Sequence, residues 1–240
     1  MYLSVVIPAY NEEKRISKTL LAVDDFLRRQ NYEYEILIVN DGSKDKTSEV
    51  VSGLKDQIKN LKLIDEKTNR GKGWVVRRGM LEASGQYRLF MDADNSTTID
   101  QVNNFLPYLS QGYDLVIGSR RIPGAVIAVH QPWIRDFLGG IFRLVVHSLV
   151  PLDVTDSQAG FKVFSQKAAE EVFKKQTIFR WAFDVEILAM ARLFGFKIKE
   201  VPIHWINDSE SHVKLSGMIR MLLEVWKIRL NLWSKKYGHQ

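Results

Sequence analysis

The chain has 240 residues, no cysteine and a formal net charge of +6 at pH 7. This length suits one well-filled core, and the lack of cysteine excludes disulfides, thiolate catalysis and cysteine-bound zinc. A hydrophobic share of 45% with a charged share of 26% excludes a disordered chain, and the cationic excess favours an anionic partner such as nucleic acid, a nucleotide phosphate or a membrane surface.

The first half of the chain alternates apolar runs with segments of helical periodicity. The apolar runs predict strands at residues 3–7, 36–39, 61–64 and 87–91. Helices are predicted after the first three strands, because apolar residues recur there at helical spacing. Strands joined by helical crossovers pair in parallel, and the crossovers cover both faces. The pattern therefore predicts an α/β fold with a mostly parallel central sheet flanked by helices.

The start of the chain is predicted to be a strand and not a signal peptide. It lacks a basic segment before the apolar run, which ends at Pro8. Two longer apolar stretches, 125–150 and 218–233, contain charged residues, so neither is predicted to span a bilayer. From these patterns we expect a cytoplasmic location.

The second half of the chain is less regular. Thr98 and Gln101 predict a capping box for a helix that ends near Leu109. Further predictions are a strand at 113–118, a loop at 122–132, helices at 133–150 and 183–193, and an alternating strand at 197–205. Because the tail after His212 is strongly basic, we divide the chain into a domain at 1–211 and a basic amphipathic C-terminal helix at 212–240.

Four separate pieces of sequence follow the predicted parallel strands at their carboxyl ends. Ligands bind at that edge of such sheets. The pieces are 8–11, 40–43, 66–73 and 92–94, and the strand at 113–118 delivers Ser119, Arg120 and Arg121 to the same edge. The sequence thus predicts one cleft built from these segments.

Asp92 and Asp94 stand one residue apart at the end of a strand that is predicted to be buried. Carboxylates at the edge of a core need a cation, and hard oxygen ligands suit Mg²⁺ or Mn²⁺. The spacing predicts a metal site, with a solvated strand-to-loop corner as the alternative.

Two other features of this edge are typical of nucleotide sites. Asp41 is placed to accept an N–H of a base, with an Asx-turn at 41–43 as the alternative interpretation. Residues 69–73, with the sequence NRGKG, place a lysine between two glycines just before a helix, which suits an anion, although a plain solvated turn is similar. The P-loop spacing and the Gly-x-Gly-x-x-Gly of dinucleotide-binding folds are both missing.

These motifs occur in the order and spacing of glycosyltransferase family 2, which the chain resembles over nearly its whole length. The segments that carry the resemblance are VVIPAYNE at 5–12, VNDGS at 39–43, NRGKG at 69–73, DAD at 92–94 and GSR at 118–120. Later segments resemble the polyprenyl-phosphate sugar synthases of that family, namely DSQAGFK at 156–162, RWAFDVE at 180–186 and EVPIHW at 200–205. The resemblance implies the GT-A fold, a Rossmann-like arrangement of the predicted sheet, to which the amphipathic helix is a C-terminal extension.

The resemblance implies an inverting glycosyltransferase that moves a hexose from a nucleotide sugar to the phosphate of a membrane polyprenol such as dolichyl phosphate. The paired carboxylates are followed by Asn95, Ser96 and Thr97, where the mannose synthases usually carry Leu-Gln. This departure resembles the glucosyltransferase branch and favours UDP-glucose as donor. GDP-mannose is the alternative donor.

The resemblance also implies roles for individual residues. The nucleotide-sugar-binding residues are Pro8, Tyr10, Glu12, Asp41, Lys72 and Asp92, with Asp41 on the base. Asp92 and Asp94 would hold Mg²⁺ or Mn²⁺, the catalytic residues are Asp94, Arg120 and Asp156, and the acceptor phosphate would meet Arg120, Arg121 and Lys214. A phosphate monoester is already anionic, because its second pKa is about 6. The acceptor therefore needs little help from a base, which favours a role for Asp156 in orienting the acceptor or the sugar hydroxyls over a role as a base. A simple cap or turn residue is the alternative interpretation.

The polyprenyl tail of such an acceptor stays in the bilayer, so we expect peripheral attachment to the cytoplasmic face of a membrane. The basic tail is predicted to form an interfacial helix. Its apolar residues are Met218, Ile219, Leu222, Leu223, Trp226 and Trp233, interleaved with Arg220, Lys227, Arg229, Lys235 and Lys236. A second apolar surface is predicted from Trp133, Ile134, Phe137, Leu138, Ile141 and Phe142. Packing on the core or in a dimer is the alternative for both surfaces.

Functions from other classes compete with this one. A nucleic-acid-binding module fits the basic charge, but the aromatic residues lie in core-like runs or in the tail rather than along one groove. A membrane scaffold with an inactive transferase fold is disfavoured by the intact Asp92 and Asp94. A sugar-1-phosphate nucleotidyltransferase normally has a glycine-rich loop after its first strand, which is missing. We expect no nucleic acid partner, and the patterns leave the oligomeric state open.

Overall fold

The structure is a computed structural model that describes residues 1–128, 133–206 and 215–238. Its first half follows the predicted alternation of strands and helices. The strands are β1 (Leu3–Ala9), β2 (Tyr34–Asp41), β3 (Leu61–Glu66) and β4 (Tyr87–Met91), and the helices are α1 (Ile16–Arg28), α2 (Thr47–Gly53) and α3 (Lys72–Glu82).

Strand β2 is longer than the apolar run that predicts it, because polar residues at its ends are also buried. Glu35 is only 1% exposed. Its carboxylate accepts hydrogen bonds from the Ser4 hydroxyl at 2.6 Å, the Ser84 N–H at 2.7 Å and Lys62 Nζ at 2.6 Å. These bonds offset the desolvation of the carboxylate, so a charged residue is accommodated inside the sheet.

The second half adds five strands, a 3₁₀ helix and five α-helices. The strands are β5 (Leu115–Ser119), β6 (Val126–Ile127), β7 (Phe161–Ser165), β8 (Ile198–Pro202) and β9 (His204–Trp205). The 3₁₀ helix is Ile99–Asn104, and the α-helices are α4 (Leu106–Ser110), α5 (Trp133–Leu149), α6 (Gln166–Lys175), α7 (Phe183–Leu193) and α8 (Leu215–Trp233).

Seven strands form one sheet in the order β3-β2-β1-β4-β7-β5-β8, and β6 pairs with β9 in a separate ribbon. β1, β2, β3 and β4 pair in parallel, as do β5 and β8. β7 is antiparallel to both of its neighbours, β4 and β5. The mostly parallel central sheet is therefore confirmed, with one reversed strand, β7, between β4 and β5.

The core lies on both faces of this sheet. Successive residues of β1 alternate between the two faces, with Val6 in one apolar cluster and Val5 and Ile7 in the other. Helices α3, α5, α6, α7 and α8 contribute to the Val6 cluster, whereas α1, α2 and α4 contribute to the opposite one. The helices thus flank the sheet on both faces, as predicted.

Three local predictions are wrong. Thr98 provides no side-chain cap. The side-chain amide of Gln101 instead donates to the His204 carbonyl and accepts the His204 N–H, each at 2.8 Å. The single helix expected here is a 3₁₀ helix followed by α4. The strand expected at 197–205 divides into β8 and β9, which belong to different sheets. The loop expected at 122–132 contains β6, because its backbone pairs with β9. Each of these outcomes depends on a partner that is distant in sequence.

Helix α8 shares the core of the preceding elements. Met221, Val225 and Ile228 are at most 7% exposed and belong to the same cluster as α5 and α7. Glu224 Oε2 also accepts the N–H of Ala182 at 2.9 Å, just before α7. One face of α8 is therefore integral to the domain, and the boundary predicted at 211/212 lies outside the described residues. None of the helices in the described ranges is long and apolar enough to cross a membrane.

We expect Ile228→Ala to lower the free energy of unfolding by about 2–5 kcal/mol, because it leaves a cavity at a position that is 0% exposed. Leu223→Ala on the same helix is the matched control, since Leu223 is 66% exposed and its truncation should cost no more than about 0.5 kcal/mol. Urea denaturation of both variants measures the difference. Equal, small effects would show that α8 does not pack on the core.

Candidate active site

The carboxyl ends of the parallel strands lie at one edge of the sheet, and the segment that enters β7 reaches the same edge because β7 runs in the opposite direction. Met91 is paired with Phe161, and the Asp92 N–H donates to the carbonyl of Gly160 at 3.2 Å. Residues 92–94 and 156–160 are therefore neighbours. Their contact depends on the reversal of β7, which the sequence pattern does not predict.

Lys72 is the counter-cation of Asp92. It is the first residue of α3, and its Nζ lies 2.5 Å from Asp92 Oδ1. Among the described residues, Asp92 Oδ1 has no hydrogen-bond partner beyond this ion pair, and the atom is buried. The two side chains are 23% and 32% exposed, so the ion pair borders the cleft.

Asp94 lies beside this pair. Burial and the negative charge of Asp92 raise the pKa of Asp94, although its Oδ1 accepts the Ser96 N–H at 2.9 Å. The turn itself is held from α1, where the Thr19 hydroxyl donates to the carbonyl of Ala93 at 2.7 Å. Two carboxylates are thus held close together with an excess of negative charge between them.

A fully buried ion pair, which sequence reasoning missed, adjoins these groups. Lys162 is 0% exposed, and its Nζ donates to Asp184 Oδ1 and to the Ala159 carbonyl, each at 2.6 Å. Asp184 in turn interacts electrostatically with Lys72 and Asp92. A lysine inside the apolar run of β7 signals that an anionic partner is needed, but no sequence spacing identifies Asp184 as that partner.

Arg120 and Asp156 form a bidentate ion pair. Arg120 Nε lies 2.7 Å from Asp156 Oδ2, Nη2 lies 2.9 Å from Oδ1, and the Arg120 N–H adds a bond to Oδ2 at 3.1 Å. Glu200 accepts the N–H of Asp156 at 3.1 Å, and the Arg120 guanidinium lies 5.2 Å from the ring centre of Trp205. Two strands and a ribbon therefore fix the orientation of the guanidinium.

The pKa of Asp156 shows which of its expected roles suits it. Burial by itself raises this pKa, but the hydrogen bonds and positive charge of Arg120 outweigh burial and lower it to about 2. A carboxylate with such a low pKa is a poor proton acceptor at neutral pH. The geometry favours an orienting role for Asp156 over a role as a base.

Asp41 fastens the loop that leads to Lys72. Its two carboxylate oxygens accept the backbone N–H groups of Arg70 at 2.7 Å and Gly71 at 2.9 Å, and the residue is 3% exposed. Gly71 has φ +106°, and a Cβ there would lie 2.5 Å from the Phe179 carbonyl oxygen, so glycine is required. The side chain that bonds within the turn at 40–43 is Asn40, whose Oδ1 accepts the Ser43 N–H at 3.3 Å.

The remaining predicted site residues differ in how close they come to this cluster. Pro8 is buried in β1 opposite Val39, and Tyr10 is 37% exposed just beyond the strand. Glu12 is paired with Arg15, while Arg121 is exposed next to Arg120. Lys214 lies outside the described residues. The structure thus brings Lys72, Asp92, Asp94, Arg120 and Asp156 together, with Asp41 holding the adjoining loop.

Comparison with known proteins identifies the family. Residues 4–173 match the model of glycosyl transferase family 2. The chain belongs to glycosyl transferase family 2. Two relatives are dolichyl-phosphate beta-glucosyltransferase ALG5D of Trichomonas vaginalis, 37% identical over 98% of this chain and 76% of the relative, and dolichyl-phosphate beta-glucosyltransferase of Homo sapiens, 33% identical over 95% and 75%.

A solved structure supports the fold of this family 2 transferase. Glucosyl-3-phosphoglycerate synthase from Mycobacterium tuberculosis, in complex with Mg²⁺ and uridine diphosphate, aligns with a TM-score of 0.61 at 19% identity, over 96% of this chain and 78% of that one. At this identity the likeness concerns the fold alone. It agrees with the GT-A arrangement that the sequence motifs imply.

The residues of the family 2 transferase fit a divalent cation at Asp92 and Asp94. Both supply hard carboxylate oxygens, and within the described ranges Asp92 Oδ1 has no hydrogen-bond partner beyond its ion pair with Lys72. Gly160 makes room for the carboxylate, because a Cβ there would lie 2.0 Å from Asp92 Oδ2. The described residues contain no cluster of three acidic or histidine ligands. Two carboxylates suit Mg²⁺, which proteins usually bind through one or two carboxylates together with substrate phosphates.

The Arg120–Asp156 pair should make stability depend on pH. Because the folded-state pKa of Asp156 is depressed to about 2 from 3.8, its contribution is complete above the unfolded value and is lost as the pH falls toward the folded one. We expect Asp156→Asn to lower the free energy of unfolding by about 2 kcal/mol at pH 7, with the difference from wild type shrinking between pH 4 and pH 2.

Urea denaturation of wild type and Asp156→Asn across this pH range is the measurement. Asp56→Asn, at an exposed carboxylate, is the control and should change stability by less than about 0.5 kcal/mol throughout. A difference for Asp156→Asn that stays constant down to pH 2 would contradict the assignment of a depressed pKa.

Proposed function

We propose that this family 2 transferase moves glucose from UDP-glucose to the phosphate of a dolichyl-type polyprenol, with inversion at the anomeric carbon. The observation that carries the proposal is that two separate groups of charged side chains lie at one sheet edge, each of which suits a phosphate. The Asp92 and Asp94 carboxylates suit a metal-bound diphosphate, and the Arg120 guanidinium suits a second phosphate. Arg120 is close enough to Asp92 for the two charges to interact.

The choice of substrates is supported by the relatives. Both the Trichomonas and the human relative are named dolichyl-phosphate beta-glucosyltransferase, and each aligns with almost the whole chain. The structural neighbour binds uridine diphosphate with Mg²⁺. These names favour glucose over mannose and a uridine over a guanosine donor.

The transfer is a single displacement. An oxygen of the acceptor phosphate attacks the anomeric carbon, and the electron pair of the breaking C–O bond leaves with UDP, so the configuration inverts. When bound at Asp92 and Asp94, Mg²⁺ or Mn²⁺ supplies positive charge to the departing diphosphate. Lys72 adds an ammonium group on the donor side, and Asp94 would supply the second carboxylate of the metal site.

Arg120 orients the nucleophile in this proposal. It is held by Asp156, so its guanidinium is fixed before the acceptor arrives, and a planar guanidinium matches two phosphate oxygens. The exposed Arg121 adds positive charge at the mouth of the site. The acceptor phosphate is anionic at neutral pH and needs no base. Asp156 therefore orients the Arg120 guanidinium and does not serve as a base.

The nucleoside is proposed to lie against the ends of β1 and β2, near Pro8, Tyr10, Glu12 and Asp41. Asp41 uses one lone pair of each oxygen on the loop N–H groups, which leaves acceptor capacity for a base N–H. Tyr10 offers an exposed aromatic ring at the same edge. These assignments stay predictions.

Labelled UDP-glucose, polyprenyl phosphate and Mg²⁺ should give labelled lipid that partitions into the organic phase. Asp94→Ala should lower the rate by at least roughly 100-fold, because charge on the departing diphosphate is then poorly stabilised. Asp100→Asn, at an exposed carboxylate, is the control and should leave the rate unchanged. A higher rate with GDP-mannose would contradict the proposed donor, and an unaffected Asp94→Ala would contradict the metal role.

We also propose that the protein docks on the membrane through α5 and α8, which pack against each other. Their exposed apolar side chains are Ile141, Leu144, Leu222, Leu223, Trp226, Leu230 and Trp233. Lys227, Lys235 and Lys236 are exposed alongside, as expected for a surface that meets anionic head groups. Phe142 is 6% exposed and belongs to the core, which corrects its assignment to this surface. The side chains of 133–138, 218 and 219 lie outside the description.

Full-length protein should float with vesicles that contain anionic lipid. The double variant Leu223→Glu/Trp226→Glu should stay at the bottom of the gradient, because it places two negative charges on the proposed docking face. Leu21→Glu, at an exposed apolar position on α1, is the control and should float like wild type. Equal flotation of all three proteins would show that α8 is not the attachment surface.

A further inference from the structure

The ion pair between Lys72 and Asp92 occupies one of the two carboxylates proposed to hold the metal. Lys72 Nζ lies 2.5 Å from Asp92 Oδ1, and that oxygen is buried. A divalent cation that binds Asp92 through Oδ1 would lie close to this ammonium group, and the two positive charges would repel each other. Binding of the cation through Oδ1 therefore favours displacement of Lys72.

We infer that Lys72 is an internal competitor of the divalent cation, which holds Asp92 in the donor-free protein and moves to the donor diphosphate once the cation has bound. The inference rests on the proposed metal role of Asp92 and Asp94. It goes beyond that role because it makes Lys72 a residue that weakens cation binding before the donor arrives and strengthens donor binding afterwards.

The surrounding charges explain why Lys72 takes this position. Its ammonium group interacts with Asp92, Asp184 and Asp94. Asp184 already has a counter-cation, since Lys162 Nζ lies 2.6 Å from its Oδ1. Lys72 is thus a cation that offsets the repulsion between the Asp92 and Asp94 carboxylates, whereas Arg120 is paired with Asp156.

Binding of a divalent cation reverses this balance. Two added positive charges at Asp92 and Asp94 make the ammonium group redundant and repel it. The diphosphate of the donor brings new negative charge to the same place, and an ammonium on a flexible four-carbon chain can follow it. The backbone of Lys72 need not move, because Asp41 holds the preceding residues Arg70 and Gly71 through their N–H groups.

The test is a titration with Mn²⁺ in the absence of nucleotide. Electron paramagnetic resonance measures the free Mn²⁺ and so gives the amount bound. We expect Lys72→Met to bind Mn²⁺ about tenfold more tightly than wild type, since a neighbouring charge alters the binding of a cation to a carboxylate by this order. Lys72→Arg keeps a cation near Asp92 and should bind Mn²⁺ much as wild type does. Lys67→Met, at a lysine that is 87% exposed, is the matched control and should also resemble wild type.

The second measurement is UDP binding at saturating Mn²⁺ by calorimetry. Lys72→Met should bind UDP roughly tenfold more weakly than wild type, because it loses a charge-assisted contact to the diphosphate. Lys67→Met should again be unchanged. Opposite effects on Mn²⁺ and on UDP distinguish competition from a merely structural role, which would weaken both.

Each result decides between defined outcomes. Unchanged or weaker Mn²⁺ binding by Lys72→Met, with Mn²⁺ binding by wild type lost in Asp94→Ala, would overturn the competition and leave the proposed metal site standing. Equal Mn²⁺ binding by wild type and Asp94→Ala, or none by any variant, would overturn both the competition and the proposed metal role. Circular dichroism of each variant confirms that it is folded.

Discussion

Seven charged side chains lie near one another at a partly buried edge of the sheet, and the charge of the candidate active site depends on how they pair. Four are carboxylates, at Asp92, Asp94, Asp156 and Asp184, and three are the cations Lys72, Lys162 and Arg120. Buried charge is costly unless it is paired, so three ion pairs form and one carboxylate, Asp94, is left without a cation of its own. The resulting negative excess is the physical reason that this edge suits a divalent cation and, with it, a diphosphate.

The reversed strand β7 brings the members of these pairs together. β7 places Lys162 in the core and Gly160 against Asp92, and the segment that precedes it supplies Asp156 to Arg120. A parallel strand at this position would deliver its preceding segment to the opposite edge of the sheet. One antiparallel strand therefore connects the Asp92 and Asp94 carboxylates with Arg120. The enzyme's two proposed phosphate-binding features are joined through β7.

Helix α8 has apolar side chains both in the core and on the surface. Its inward face, with Val225 and Ile228, completes the core, while Leu223 and Trp226 remain exposed. A helix that is apolar on both sides is stable at a surface only if something covers the outer side. A polyprenol phosphate must be reached from the plane of the membrane, so a docking face formed by α5 and α8 would bring a rigid catalytic domain, rather than a flexible tail, to the lipid.

The sequence by itself determined the alternating strands and helices, the mostly parallel sheet, the carboxylates after β4 and the family, because these depend on local periodicity and on motifs of neighbouring residues. It also brought Asp41, Lys72, Asp92 and Arg120 to one edge, since parallel strands share their carboxyl ends. Only the tertiary structure decided their partners. The pairing of Lys72 with Asp92, Arg120 with Asp156 and Lys162 with Asp184 joins residues from 20 to 36 positions apart. No local pattern encodes such contacts, because they arise from strand order, strand direction and the cost of burying unpaired charge.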